Sequence, residues 1–550
     1  MTAPAEGRVW AELPLADGAR DRARATAPAA TGDVDTATGV LEHVLEHAVK
    51  DPGRPAVTEG ARTVGYGELA ERVAAVRSLL LDRGVGAGDV VACVGPRGIG
   101  TPVVFLALES LGASYLPADL DWPRERVRDV LGRSGAALLL DYTGGPASGP
   151  ALEAAREAGV ATASVPAVTA PGGPPPRDAS DRSHEARYTI FTSGTTGRPK
   201  GATVEHQGML NHLWAKVVDL SLTEDDVVAF TAPLVFDISI WQMLCPLMVG
   251  GHLVIVDDTV MRFPRRLVKT LDAHGVTVVE LVPTVLGWLV DETVRRDLAP
   301  LRSLRSLLST GEELHPAVAG RAMAALPNAS LVNAYGPTEC SDDVTHHVVT
   351  PADLRRTRLP IGAPVLNTAL YLLVEDEDGR WRAAGPDEPG ELFVGGKGVG
   401  LGYLNDPATT DRAFFRDPFD PASPTGRLYR TGDLARIEDG LVHYLGRGDR
   451  QVKVAGVRME LDEIEAVLGR QPAVERCAVV VSGDGARSEL VAHYTLREPV
   501  TSDDLYLAVR SALPPAMVPR RWREWEALPL TRNGKVDHRS LAAAHQEEAR

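Results

Sequence analysis

Short, largely apolar runs recur along the first two thirds of the chain. DVVACVG (89–95), ALLLD (137–141), YTIFTSG (188–194), VVAFTA (227–232), HLVIVD (252–257), TVVELV (277–282), LRSLLST (304–310) and SLVNAYG (330–336) each predict a strand buried on both faces. Between several of them the apolar positions fall at helical spacing, as in 264–274 and 315–326. This alternation predicts an α/β protein whose parallel sheets are covered by helices, with ligands beyond the carboxyl ends of the strands. After about residue 360 the helical period fades, and ALYLLVEDEDGRWRA, GELFVGG and RIEDGLVHYLG predict antiparallel strands with tight turns. From about 450, strands (QVKVAG, ERCAVVVS, ELVAHYTL) mix with helices over 460–469 and 502–512.

Composition narrows the classes. With 550 residues, 44% of them hydrophobic, the chain can build a large multi-part enzyme. A net charge of −16 argues against nucleic acid as a partner. Cys93, Cys245, Cys340 and Cys477 lack CxxC spacing, which predicts buried thiols in a reducing compartment. Residues 1–37 have no apolar core and are expected to be a flexible leader, not a signal peptide. The longest apolar stretch, 276–290, is broken by Glu280 and Pro283, so no membrane span is expected and a cytoplasmic protein is. A Pro/Gly-rich loop over 168–185 precedes the first chemical motif.

That motif is TSGTTGRPKG (192–201), with three glycines, four hydroxyls and a lysine just after a strand. Glycines let backbone N–H groups approach a ligand, and with hydroxyls they form a concave anion site to which Lys200 adds charge. The expected ligand is a polyphosphate. The spacing is not that of a Walker A loop, which needs GxxxxGK[ST].

Further motifs follow in order: TVGYGEL (63–69), LESLGASYLPADLDWP (108–123), FDISIW (236–241), NAYGPTE (333–339), GELFVGGKGVGLGYL (390–404), YRTGDL (429–434), GRGDRQVKVAGVRMELDEIE (446–465), LPPAMVP (513–519) and NGKVD (533–537). Together they resemble the adenylate-forming superfamily, and within it the amino-acid adenylation domains of nonribosomal peptide synthetases, from about 40 to 541. The resemblance implies a large N-terminal core over 38–448, of two parallel-type sheets with helices plus a small β-barrel. It also implies a small mobile α+β C-terminal domain over 449–541 and a tail over 542–550.

It implies the chemistry too. An amino acid carboxylate attacks the α-phosphorus of ATP and pyrophosphate leaves. The aminoacyl group then passes to the phosphopantetheine thiol of a carrier protein. Thr192, Ser193, Gly194, Thr195, Thr196, Gly197 and Lys200 are expected to hold the phosphates. Asn333, Ala334, Tyr335, Gly336 and Thr338 are expected around the nucleotide, with Tyr335 stacked on adenine. Asp433 is expected on the ribose, supported by Arg447, and Glu339 on Mg²⁺. Lys535 is the expected catalytic residue, bridging the substrate carboxylate, ribose and α-phosphate, and Asp449 the hinge. Because only 15 residues follow Lys535, a free-standing enzyme with a separate carrier is expected. The DPF stretch (417–419) resembles domains that work with an MbtH-like accessory protein.

Motif alignment implies a substrate pocket of Asp237, Ile238, Trp241, Glu280, Leu308, Thr310, Ala334, Asp342, Asp343 and Lys535. Asp237 is expected to grip the α-ammonium of the substrate. Glu280 and Asp343 are similar to the pattern of ornithine and 2,4-diaminobutyrate domains. Of Asp342 and Asp343, one is expected to point inward. Surplus negative charge then selects a substrate with a second cationic group: 2,4-diaminobutyrate, 2,3-diaminopropionate, ornithine, lysine or β-lysine. If Glu280 faces solvent or pairs with a protein Arg, a small neutral or hydroxy amino acid is the alternative. An acyl-CoA ligase-type enzyme and a non-catalytic nucleotide-binding relative are the others.

Overall fold

The computed structural model describes residues 8–166, 182–194, 198–295, 301–448, 450–483, 488–530, 536–538 and 540–542. Two sheets dominate. In the first, five parallel-type strands run in the order Ala186–Thr192, Ser114–Ala118, Val90–Val94, Leu138–Asp141, Ala161–Ser164, and Lys200–Glu205 adds antiparallel to Ala186–Thr192. The second has nine strands. Its parallel centre runs Ser330–Tyr335, Ser306–Ser309, Val278–Leu281, Val227–Phe230, His252–Ile255, Pro55–Glu59.

Helices fill the space between the sheets and cover their outer faces. Val40–Lys50, Tyr66–Asp82, Gly100–Glu109, His206–Asp219 and Ile238–Met248 share one apolar core with strands of both sheets. Such doubly covered strands must be apolar throughout, which makes the Val/Ile/Leu runs legible. Pro264–Ala273, Pro283–Arg295 and Pro316–Ala325 cover the outer face of the second sheet, each opening on a proline whose missing N–H costs nothing there.

A seven-stranded antiparallel sheet stands where the small β-barrel was expected, built round Thr368–Glu375, Gly390–Gly396 and Arg427–Glu438. Residues 8–37 differ from the flexible leader expected of them. They form a helix, Ala19–Thr26, and a short strand, Ala29–Ala30, whose residues pair with Ala369 and Thr368. Leu13 and Ala23 pack with Tyr371, Trp381 and Phe419. The segment is polar on average, and average polarity hides the few apolar side chains that a preformed sheet edge can capture.

The chain continues past Arg447 into a smaller unit with its own core. A hairpin, Gln451–Val454 with Val457–Glu460, leads to Leu461–Gly469, then to the three-stranded sheet of Val474–Ser482, Glu489–Leu496 and Arg521–Glu524. Helix Ser502–Ala512 opens with a full capping box between Thr501 and Asp504. Among the described residues, no helix is long and apolar enough to cross a membrane. Cys93, Cys245 and Cys340 are buried free thiols, and Cys477 is half-buried.

Candidate active site

Several of the motifs converge where the two large sheets and the small unit meet, beyond the carboxyl ends of the central strands, as the topology requires. Two cavities lie there, of about 310 Å³ and about 410 Å³, and both are lined by Gly311 and Lys453. The first takes Thr192, Ser193, Asp237, Ile238, Thr310, Gly336, Thr338 and Asp342. The second takes Asn333, Ala334, Tyr335, Asp433 and Arg447.

The 410 Å³ cavity has an aromatic wall and an acidic corner. Arg447 donates to Asp433 Oδ1 at 2.7 Å, and the Tyr335 hydroxyl donates to Asp433 Oδ2. Tyr444 lies 6.1 Å from Tyr335, ring to ring. The Asn333 amide donates to Pro360 O at 2.7 Å, so this residue shapes the wall and leaves hydrogen bonding there to its neighbours. Ala334, expected in the amino acid pocket as well as near the nucleotide, lines this second cavity.

The Thr338–Cys340 turn sets Glu339 at the junction. Gly336 makes that turn possible: a Cβ there would stand 1.9 Å from Asp342 O. Glu339 is fully buried and receives three partners. Arg458 donates at 2.9 Å, the Tyr403 hydroxyl at 2.8 Å, and Lys200 Nζ lies at 3.3 Å. Burial would raise its carboxyl, but Arg458 and Lys200 outweigh it and hold it far below the ordinary range. As a fit for Mg²⁺, one carboxylate beside a phosphate loop suits a cation that takes the rest of its oxygens from phosphates. In this structure Arg458 occupies Glu339 Oε2. No group of three or more potential protein ligands occurs among the described residues.

Asp237 serves two ends. Its Oδ1 accepts from Ile238 N at 3.0 Å, capping the helix Ile238–Met248, while the side chain lines the 310 Å³ cavity beside Thr338. Burial pushes its carboxyl up, eased by Thr338. Asp342 faces the same cavity from a left-handed backbone position, φ 88°, an uncommon conformation for a residue with a side chain. Asp343 turns away from it. So one of the two neighbouring acids points inward, as their alternating directions imply.

Glu280 and Asp343 meet a cation that motif reading did not place in the pocket. Lys216 Nζ lies 2.5 Å from Asp343 Oδ2 and 3.7 Å from Glu280 Oε1, with no exposure to solvent. Trp241 Nε1 donates to Glu280 Oε2 at 2.5 Å, and Lys216 sits 4.7 Å from the centre of its ring. Trp241 and Leu308 are wholly buried and serve as backing for the pocket. Glu280 and Ile238 also border a neighbouring cavity of about 210 Å³.

Thr195, Thr196, Gly197, Asp449 and Lys535 lie outside the described residues. Val536 packs with Ala478, Val480 and Leu528 in the small unit. The hairpin 451–460 faces the cleft: Lys453 lines both cavities, and Gly456 N donates to Glu312 of the large core. Sequence reading missed Lys453, Arg458, Tyr403 and Lys216 as site residues. The first two stand in the quoted motif GRGDRQVKVAGVRMELDEIE, so a signal for them existed. None existed for Lys216.

The chain matches the AMP-binding enzyme family over residues 44–404 and the AMP-binding enzyme C-terminal domain over 463–535. It is 35% identical to enterobactin synthase component F of Escherichia coli (strain K12), over 90% of this chain and 38% of that protein. It is 32% identical to tyrocidine synthase 2 of Brevibacillus parabrevis, over 92% of this chain and 14% of that protein. The chain thus spans well under half of these relatives. Among solved structures, it resembles holo-PA1221, an NRPS protein with adenylation and PCP domains bound to a vinylsulfonamide inhibitor, at TM-score 0.79 and 30% identity over 92% of this chain and 84% of that one. It also resembles the Vibrio cholerae adenylation domain AlmE in complex with glycyl-adenosine-5'-phosphate, at TM-score 0.78 and 25% identity over 94% and 99%. The chain belongs to the AMP-binding enzymes, as an ATP-dependent, AMP-forming ligase of the kind that adenylates amino acids in nonribosomal peptide synthetases.

Proposed function

We propose that this enzyme activates an amino acid bearing a second cationic group and loads it onto the thiol of a carrier protein. The observation that carries the reading is the pair of buried carboxyls, Asp237 and Asp342, on one 310 Å³ cavity. Asp342 Oδ2 has no hydrogen-bond partner, and burial together with Asp343 and Asp237 pushes its carboxyl well up. A buried acid in that position is stabilised by an incoming ammonium. Asp237 would take the α-ammonium and Asp342 the side-chain one.

In the first step the substrate carboxylate oxygen forms a bond to the α-phosphorus. The bond from that phosphorus to the bridging oxygen breaks, and pyrophosphate leaves. This chain's part is alignment and charge stabilisation. Tyr335 and Asp433 hold adenine and ribose, the 192–201 loop and Lys200 hold the leaving phosphates, and Lys535 stabilises the transferring charge. Mg²⁺, held by Glu339 and the phosphates, would supply neutralisation of that charge. In the second step the carrier thiolate attacks the acyl carbon, the acyl–oxygen bond breaks and AMP leaves. Lys453, at the junction of the two cavities, is placed to hold that phosphate. The carrier and an MbtH-like accessory protein are proposed partners.

A second reading rests on Lys216. It already meets Glu280 and Asp343, so a protonated Asp342 could donate to a small neutral or hydroxy amino acid. Amino-acid-dependent ATP–pyrophosphate exchange decides between them. The panel holds the proteinogenic amino acids, 2,3-diaminopropionate, 2,4-diaminobutyrate, ornithine and β-lysine. A signal with one diamino acid is expected; a signal confined to neutral amino acids overturns the cationic reading. Transfer of label to a separately purified carrier tests the second step, with and without the accessory protein.

A further inference from the structure

Four buried carboxyls (Asp237, Glu280, Asp342 and Asp343) lie in or behind the pocket and are not equivalent: Asp237 and Asp342 line the 310 Å³ cavity, and Glu280 and Asp343 do not. Both oxygens of Asp343 are engaged within the protein: Thr310 Oγ1 donates to Oδ1 at 3.2 Å and Lys216 Nζ to Oδ2 at 2.5 Å. His346 Nε2 lies 3.5 Å from the same Oδ2, while its Nδ1 is shared with Asp219 at 2.7 Å. Glu280 is tied to the same centre through Trp241, whose edge bonds the carboxylate and whose face carries the Lys216 ammonium. Among the described residues, the one ion-pair partner within reach of Asp342 is His212, at 3.3 Å from Oδ2 and without hydrogen-bond geometry. Burial and the neighbouring Lys216 push the His212 imidazole down to about 3, so it is neutral near pH 7 and offers Asp342 no charge; Lys216 acts on Asp342 only from beyond ion-pair distance.

Lys216 comes from the helix His206–Asp219, on a face that is otherwise sunk in the core. A lysine in that position has no route to water. Its cost of burial is met chiefly by Asp343 and Glu280, with the Trp241 face and the more distant Asp342 adding to them, and together they hold its ammonium charged.

We propose that Lys216 is a specificity-determining residue. Its ammonium is a built-in counter-ion that withholds Asp343 and Glu280 from the substrate, leaving Asp342 as the acid at which the pocket reads a side-chain charge. This rests on the pocket assignment above and divides the four acids by task. The distance at which a second ammonium is accepted is then set by Asp342, near Asp237. The deeper acids stay silent while Lys216 is present. Short diamino acids are favoured on this account over lysine.

Exchange assays on the full-length chain test it in both charge directions. Lys216→Met exposes two unneutralised acids. The ratio of kcat/KM for ornithine or lysine over the wild-type substrate is expected to rise at least tenfold. The Glu280→Gln/Asp343→Asn double variant keeps Lys216 and leaves surplus positive charge. Its preference for cationic over neutral side chains is expected to fall at least tenfold. A purely structural lysine would lower the melting temperature and every substrate alike, and an unchanged ranking overturns the proposal. If Lys216→Met does not fold, the double variant decides alone on the same criterion. If the wild-type enzyme takes only neutral amino acids, the diamino reading fails. A shift of the Lys216→Met ranking toward ornithine or lysine would still uphold the counter-ion.

Discussion

Arg458 of the small unit donates to Glu339 of the large core at 2.9 Å, across 119 positions of sequence. The residue expected to hold a metal with ATP is therefore engaged by an arginine when the hairpin 451–460 is docked. Arg458→Ala should loosen the docked arrangement. Carrier loading is expected to fall roughly ten- to hundredfold, the worth of a charge-assisted hydrogen bond. ATP–pyrophosphate exchange should stay within about threefold. Equal loss in both assays would assign Arg458 to the first step.

A second link between the units joins Arg126 to Glu463, both buried, and Glu463 Oε2 also accepts from Gly194 N at 3.3 Å. Removing one partner of such a pair strands a charge, at a cost of about 3–5 kcal/mol. Arg126→Met should therefore undock the small unit without unfolding it. Amide exchange over 451–469 is expected to rise while the core strands keep their protection. Unchanged exchange would mean that the pair contributes nothing to docking.

Lys535→Ala should fold and bind nucleotide yet form adenylate roughly 10²–10³-fold more slowly, as loss of one preorganised donor does. Single-turnover adenylate formation measures this directly. A near-wild-type rate would remove Lys535 from the first step.

Gly336→Ala should be among the most damaging small substitutions, because its Cβ would meet Asp342 O at 1.9 Å. The turn carrying Thr338 and Glu339 would have to move, and with it the inward Asp342. Loss of exchange activity with the fold retained by circular dichroism is expected. Full activity would mean that the turn is pliable.

The DPF stretch yields a test of stability against pH. Phe419 is fully buried, 4.4 Å from Tyr371 ring to ring, and Asp417 accepts from Phe419 N at 2.8 Å. Burial pushes the Asp417 carboxyl up to about 6, with those backbone bonds opposing. The folded state thus holds this proton more tightly than the unfolded one. The stabilising contribution is full below about pH 4 and is lost as pH rises toward 6. Asp417→Asn should gain up to roughly 3 kcal/mol above pH 6 and nothing near pH 4. Parallel melting curves across pH would refute the assignment.

Periodicity and motif suffice to read the parallel sheets and the family. Strands such as Val90–Val94 and Val278–Leu281 are covered on both faces, so their apolar runs appear as uninterrupted text. TSGTTGRPKG, NAYGPTE and YRTGDL are legible because glycine turns are local. Residues 8–37 escape such a reading because Leu13 and Ala23 acquire their meaning from a sheet edge more than 300 residues away in sequence. Which acids of the pocket are free emerges from packing alone. Lys216 stands 64 positions from Glu280 and 127 from Asp343 in the chain, in a helix that reads as core. Electrostatic balance depends on distance and burial in space, and no spacing of letters carries either.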